Sequence, residues 1–171
     1  MNVYLIGLPG SGKSTLGKEL APLLNLQFTD TDALITDRLK ATIETIFKEK
    51  GEAFFRQTEK EVLLELAKQK NLLVATGGGM PAHFDNMQII NSSGISIFLD
   101  LPLKTIAQRL MKQDTLHRPL VNAKTEAEML DFLEAKYQER IRYYNKSRLI
   151  FAEENLSAEQ VAEEVKSLLG S

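Results

Sequence analysis

The sequence predicts an α/β fold: a parallel β-sheet with helices on both faces. Short apolar runs rich in strand formers alternate with longer segments whose apolar residues recur at helical spacing. The first three runs each stop at a glycine-rich or acidic stretch: Gly7 to Gly12, Thr29 to Asp32 and Gly77 to Gly79. In parallel sheets ligands bind beyond the carboxyl ends of the strands, so these three stretches should meet on one rim.

The elements follow in order. Val3 to Ile6 is the first strand, and Lys13 to Leu24 the first helix, with Leu16, Leu20, Leu23 and Leu24 at helical intervals. Leu26 to Phe28 reads as the second strand, running into Thr29-Asp30-Thr31-Asp32. Helical pieces then occupy Ala33 to Lys70, interrupted at Gly51. Leu72 to Ala75 is the third strand. Ile95 to Leu99 is the fourth, and Pro102 marks a helix start after it. Leu130, Leu133, Tyr137, Ile141 and Tyr144 form the apolar stripe of a later helix. Ile150 and Phe151 predict a short fifth strand, and Leu156 to Leu169 a closing helix. No internal repeat or low-complexity linker separates these elements.

Composition narrows the function classes. A chain of 171 residues, 43% hydrophobic and 26% charged, suits one compact soluble domain over 1–171. A net charge of −2 at pH 7 gives no global field favouring nucleic acid, so an anionic ligand must be held by a few placed cations. Without cysteine there is no disulfide or thiol chemistry, and His83 and His117 alone argue against a histidine-rich zinc site. The opening apolar run breaks at Gly7, far short of the ~20 residues of a membrane span, and no basic leader precedes it. A cytoplasmic location and no membrane partner are the expectations.

The strongest motif is Gly7-Leu8-Pro9-Gly10-Ser11-Gly12-Lys13-Ser14, a complete Walker A pattern, followed by Thr15. Its glycines let backbone N–H groups turn toward phosphate oxygens. Lys13 reaches the β- and γ-phosphates, the Ser14 hydroxyl can ligate Mg²⁺, and the helix that follows presents its positive end. The motif lies between an apolar strand and a periodic helix, as that mechanism requires. A nucleoside-triphosphate-binding P-loop is the reading.

Other residues describe a second ligand. Asp30 and Asp32 follow the second strand, where an extended backbone would point both carboxylates to one side. One could join a magnesium water shell and the other accept a proton from an attacking hydroxyl; ordinary helix capping is the alternative. Gly77-Gly78-Gly79 allows a ligand close to the backbone, or simply a tight turn before Pro81. Arg56, beside Phe54 and Phe55, is either a carboxylate clamp or a solvated helix charge. Arg140 shares a face with Tyr144 and is a second clamp or a surface arginine; Tyr137 and Tyr144 read as packing residues. The aperiodic segment 112–124 reads as a mobile lid or an idle loop. Arg118 within it could swing over the transferring phosphoryl group.

Taken together, Walker A, Asp30 and Asp32, Phe55-Arg56 with Glu59, Gly77-Gly78-Gly79, Arg118-Pro119-Leu120 and Arg140 with Tyr144 resemble the shikimate kinase family along nearly the whole chain. The resemblance implies a P-loop NTPase three-layer αβα sandwich, nucleoside-monophosphate-kinase-like, with a central five-stranded parallel sheet. It also implies substrate-binding helices over 31–60, a lid over 112–124 and a monomer. The implied activity is Mg²⁺-dependent transfer of the ATP γ-phosphate to the 3-hydroxyl of shikimate, in the chorismate pathway to aromatic amino acids. By the same resemblance Asp32 binds the substrate hydroxyls and serves as base. Arg56 and Arg140 hold the carboxylate, with the Gly77-Gly78-Gly79 backbone completing the pocket. Gly10, Ser11, Gly12, Lys13, Ser14 and Thr15 bind the phosphates, Ser14 and Asp30 the metal, Arg109 lies near the adenine, and Arg118 acts from the lid.

Three other functions share parts of this pattern. A gluconate kinase shares cradle and lid without an obvious need for both Arg56 and Arg140. A nucleoside-monophosphate kinase would turn those arginines to a phosphate. A nucleotide-dependent switch needs only the P-loop.

Overall fold

A computed structural model describes residues 1–112 and 123–170. The predicted lid is therefore largely outside the described residues, and Arg118 wholly so.

Five strands form one parallel sheet: β1 (Asn2–Ile6), β2 (Gln27–Asp30), β3 (Leu72–Ala75), β4 (Gly94–Leu99) and β5 (Leu149–Phe151), in the order β2-β3-β1-β4-β5. Seven helices are described: α1 (Lys13–Leu23), α2 (Thr31–Leu39), α3 (Ile43–Ala67), α4 (Asn86–Ser93), α5 (Leu103–Lys112), α6 (Glu126–Tyr144) and α7 (Ala158–Gly170).

Alternation along each strand divides the core in two. Val3, Leu5, Leu73, Ile95, Ile97 and Leu99 face a cluster completed by α1 and α7. Tyr4, Ile6, Val74 and Phe98 face the other cluster, built from α2 to α6. The central strands are therefore buried on both faces, which is why they read as continuous apolar runs. The predicted three-layer αβα architecture is the one observed.

Local differences have local causes. β2 runs from Gln27 to Asp30, because its register is set by β3 (Gln27 opposite Leu72, Asp30 opposite Ala75) and not by its own apolar content. Gly51 does interrupt the long helix, with φ 82° and ψ 168°, although α3 resumes at once beyond it. Helix α4 is absent from the sequence reading. Its eight residues are rich in Asn, Gln and Ser, and Met87 and Ile90 make too short a stripe to stand out.

The Asp30–Asp32 geometry needs correction. The two carboxylates are not carried to one side by a shared extended backbone. Asp30 is the N-cap of α2, its Oδ1 accepting the N–H groups of Asp32 and Ala33, while Asp32 stands in the first helical turn.

Candidate active site

The P-loop leaves β1 at the centre of the sheet and ends in α1. Gly10 and Gly12 have φ of 81° and 93°, left-handed values that disfavour a Cβ. Gly12 caps α1 without any side-chain hydrogen bond, so the first N–H groups of the helix are not taken up by a capping side chain. The Lys13 ammonium donates to the carbonyls of Gly7 at 2.9 Å and Leu8 at 2.8 Å. Burial pushes it down from 10.5 to about 8, against the opposing pull of Asp32 and Asp30. The Ser14 hydroxyl donates to Asp30 Oδ2 at 2.6 Å. Capping and function are thus not alternatives for Asp30: one oxygen caps α2 while the other meets the P-loop serine.

The glycine triplet is the floor on which the remaining charges converge. A methyl group at Gly77 would lie 2.6 Å from Asp32 Oδ1 and 2.8 Å from Glu59 Oε1. One at Gly78 would meet Pro9 of the P-loop at 2.8 Å and Arg140 Nη1 at 3.2 Å, and one at Gly79 would run into the Arg56 guanidinium. Three side-chain-free positions therefore admit two carboxylates, two guanidiniums and the phosphate loop into contact with one turn. The turn is itself braced. The Gly77 N–H donates to Thr31 Oγ1 at 2.8 Å, the Tyr144 hydroxyl donates to the Gly78 carbonyl at 2.5 Å, and His83 Nδ1 lies 2.8 Å from the Gly79 carbonyl.

Both arginines are buried, at 8% exposure for Arg56 and 5% for Arg140. Arg56 donates to Glu59 Oε2 at 2.7 Å and to Glu52 Oε1 from Nε and Nη2. Arg140 Nε is buried with no hydrogen-bond partner among the described residues. A buried guanidinium N–H left unmatched is costly, and an anionic ligand would satisfy it. Burial raises the Asp32 carboxyl above its ordinary range and neighbouring Asp30 adds to the effect, making Asp32 a better proton acceptor than an exposed aspartate. Lys13 and Arg56 pull it back only in part.

A separate cleft of about 490 Å³ adjoins the other side of the P-loop. It is lined by Gly10, Ser11, Gly12 and Thr15, by Arg109 of α5, and by residues after β5, including Glu154 and Leu156. Its size suits a nucleoside.

Sequence reasoning undervalued three residues. Thr31 stands in the pattern only as the spacer between two aspartates, yet its hydroxyl holds Gly77. Glu59 is part of the pattern without a task; its i,i+3 spacing from Arg56 was the available signal. Tyr144 does pack, its ring 5.0 Å from that of Phe98, but its hydroxyl also fixes Gly78.

A parallel αβα sandwich with a P-loop on its central strand, and a buried cationic pocket beside that loop, defines a P-loop kinase of a small acceptor. The family model for shikimate kinase matches residues 9–169. A shikimate kinase of Phocaeicola vulgatus is 38% identical over 167 residues, covering 97% of this chain and 95% of its own length. A crystal structure of shikimate kinase from Bacteroides thetaiotaomicron superposes with a TM-score of 0.90 at 33% identity, covering 100% of this chain and 99% of that one. Shikimate kinase from Acinetobacter baumannii in complex with shikimate gives a TM-score of 0.87 at 32% identity, covering 98% and 92%. The chain belongs to the shikimate kinase family.

Proposed function

We propose that this chain transfers the γ-phosphoryl group of ATP to the 3-hydroxyl of shikimate, with Asp32 as the proton acceptor. One observation carries the reading. Asp32, Arg56 and Arg140 all abut the Gly77-Gly78-Gly79 turn, next to Pro9 of the P-loop, and Arg140 keeps a buried Nε with no partner among the described residues.

The chemistry follows from that arrangement. Arg56 and Arg140 bind the acceptor's carboxylate and fix its orientation. The 3-hydroxyl then lies toward Asp32, which takes its proton as the oxygen–phosphorus bond forms and the bond from the γ-phosphorus to the β-bridging oxygen breaks. Lys13 and the loop N–H groups, those of Gly10, Ser11, Gly12, Ser14 and Thr15 among them, hold the phosphates throughout. Gluconate would not obviously need two buried arginines, and a nucleoside monophosphate would bring a larger, more highly charged group to them.

Magnesium fits the residues present. Ser14 Oγ and Asp30 Oδ2 are hard oxygen donors 2.6 Å apart beside the phosphate cradle. Among the described residues no group of three or more His, Cys, Asp or Glu could hold a metal. Ser14 would bind the ion directly and Asp30 through its water shell, with phosphates completing the coordination. When bound, the ion neutralises phosphate charge. Arg118, outside the described residues, is read as a further cation acting from the lid over 112–124, and Arg109 as a neighbour of the adenine. The helices over 31–60 are read as the substrate-binding part of one kinase domain over 1–171. The family likeness supports a cytoplasmic monomer with no nucleic-acid or membrane partner, and no described helix is long and apolar enough to cross a membrane.

The test is ADP release against a panel of acceptors. Shikimate alone should stimulate strongly; an equal or larger rate with gluconate or a nucleoside monophosphate would overturn the assignment.

A further inference from the structure

The cleft beside the P-loop carries three carboxylates, Glu19, Glu153 and Glu154, in a place where a triphosphate tail would favour cations. Their chemistry suits the other end of a nucleotide. Among the described residues Glu154 is the one of the three held by a hydrogen bond: its Oε1 accepts the Thr105 hydroxyl of α5 at 2.8 Å. That bond ties the segment after β5 to the helix that carries Arg109, so two lining segments of the cleft are joined at Glu154. Thr105 occupies one carboxylate oxygen, and the second remains an acceptor at the wall of the cleft.

An adenine presents an amino group at its 6-position, a donor; a guanine presents a carbonyl oxygen there, an acceptor. A braced carboxylate acceptor attracts the first and repels the second, discriminating by both a gained bond and a built-in repulsion. We infer that Glu154, oriented by Thr105, reads the 6-position of the purine and sets the preference for ATP over GTP. This rests on the reading that the nucleoside occupies the cleft.

Glu154 is exposed, so its substitution does not threaten the core. The test measures kcat/KM for ATP and for GTP with the full chain at saturating shikimate, in wild type, Glu154→Gln, Thr105→Val and Leu156→Trp. A glutamine amide both donates and accepts, so it should tolerate either base. Wild type should prefer ATP. Glu154→Gln should lower the ATP/GTP ratio about tenfold, with a rise in the absolute value for GTP and no change in the KM for shikimate. A merely structural role would not produce that gain. Thr105→Val should move the ratio the same way by less. Leu156→Trp fills the cleft and should raise the KM for both nucleotides. A wild type indifferent to the base, or an unchanged ratio in Glu154→Gln while Leu156→Trp weakens both nucleotides, overturns the role of Glu154 and leaves the cleft assignment standing. No effect of Leu156→Trp on either nucleotide overturns the cleft assignment itself.

Discussion

Glu59 Oε2 accepts a hydrogen bond from Arg56 Nη1 at 2.7 Å, and the glutamate is only 1% exposed. The pair ties the proposed carboxylate clamp to the interior, on the side of the turn where Gly77 abuts Asp32. Burial pushes the Glu59 carboxyl from 4.5 up to about 7 despite Arg56. The native state thus holds this proton more tightly than the unfolded chain. The stability it contributes is complete below 4.5 and is lost as pH rises through about 7. A glutamine at this site stays neutral. The urea midpoint of Glu59→Gln should therefore gain on wild type as pH rises from about 5 to about 8. Steady-state kinetics should show the KM for shikimate raised roughly tenfold through a loosened Arg56. A pH-independent difference in midpoint would contradict the assignment.

Lys13 gives a second pH dependence. Its ammonium, lowered to about 8, loses charge as pH rises through that value in the free enzyme. Profiles of kcat/KM for ATP should fall on the alkaline side near pH 8, since that parameter reports the free enzyme. Lys13→Met should lower kcat by about 10³-fold, the scale of losing one preorganised charge-stabilising donor, and abolish the alkaline limb.

The bond from Tyr144 to the Gly78 carbonyl can be removed without changing the ring. Tyr144→Phe removes this donor from the half-buried Gly78 carbonyl and should cost about 1 kcal/mol in chemical denaturation. Calorimetry should find shikimate binding weakened and ATP binding nearly unchanged. Equal loss of both would place the effect in the fold as a whole.

Gly79 offers a steric test. Its φ of −84° suits any residue, and the three nearest atoms that an alanine Cβ would meet all belong to the Arg56 guanidinium. Gly79→Ala should displace that arginine and raise the KM for shikimate more than tenfold, with nucleotide affinity kept. Gly51→Ala is the contrasting case. Among the described residues beyond its own helix turn and chain neighbours, no atom lies within 4 Å of the added carbon, but φ is 82°. With ψ at 168° this backbone is essentially open to glycine alone, so the variant should lose about 1–3 kcal/mol of stability with little change in the KM for shikimate.

Much of this architecture is written in short-range patterns. The P-loop string, the doubly buried strands and the break at Gly51 each depend on chemistry within a few residues of chain. A glycine that needs a positive φ, or a strand apolar on both faces, announces itself locally. Asp32, Arg56 and Arg140 could be singled out as candidates for the same reason, as charges placed in or beside predicted elements. Helix α4 could not, because eight mostly polar residues are helical only by virtue of what Met87 and Ile90 pack against.

Local chemistry along the chain was enough to specify a parallel three-layer fold, a phosphate-binding loop and a shortlist of charged residues. It could not say whether those charges were surface groups or partners in one pocket. That was decided by the sheet order β2-β3-β1-β4-β5, which sets the ends of β1, β2 and β3 side by side, and by the packing of α3 and α6 over them. Folding brings Arg56, Glu59, Gly78 and Tyr144 within bonding distance across as many as 66 residues of chain, and only then does burial raise the proton affinities of Glu59 and Tyr144. Desolvation and long-range contact are properties of the assembled molecule, so no local pattern could encode the second task of Thr31 or Tyr144, and the i,i+3 spacing of Glu59 from Arg56 could name its partner but not its burial.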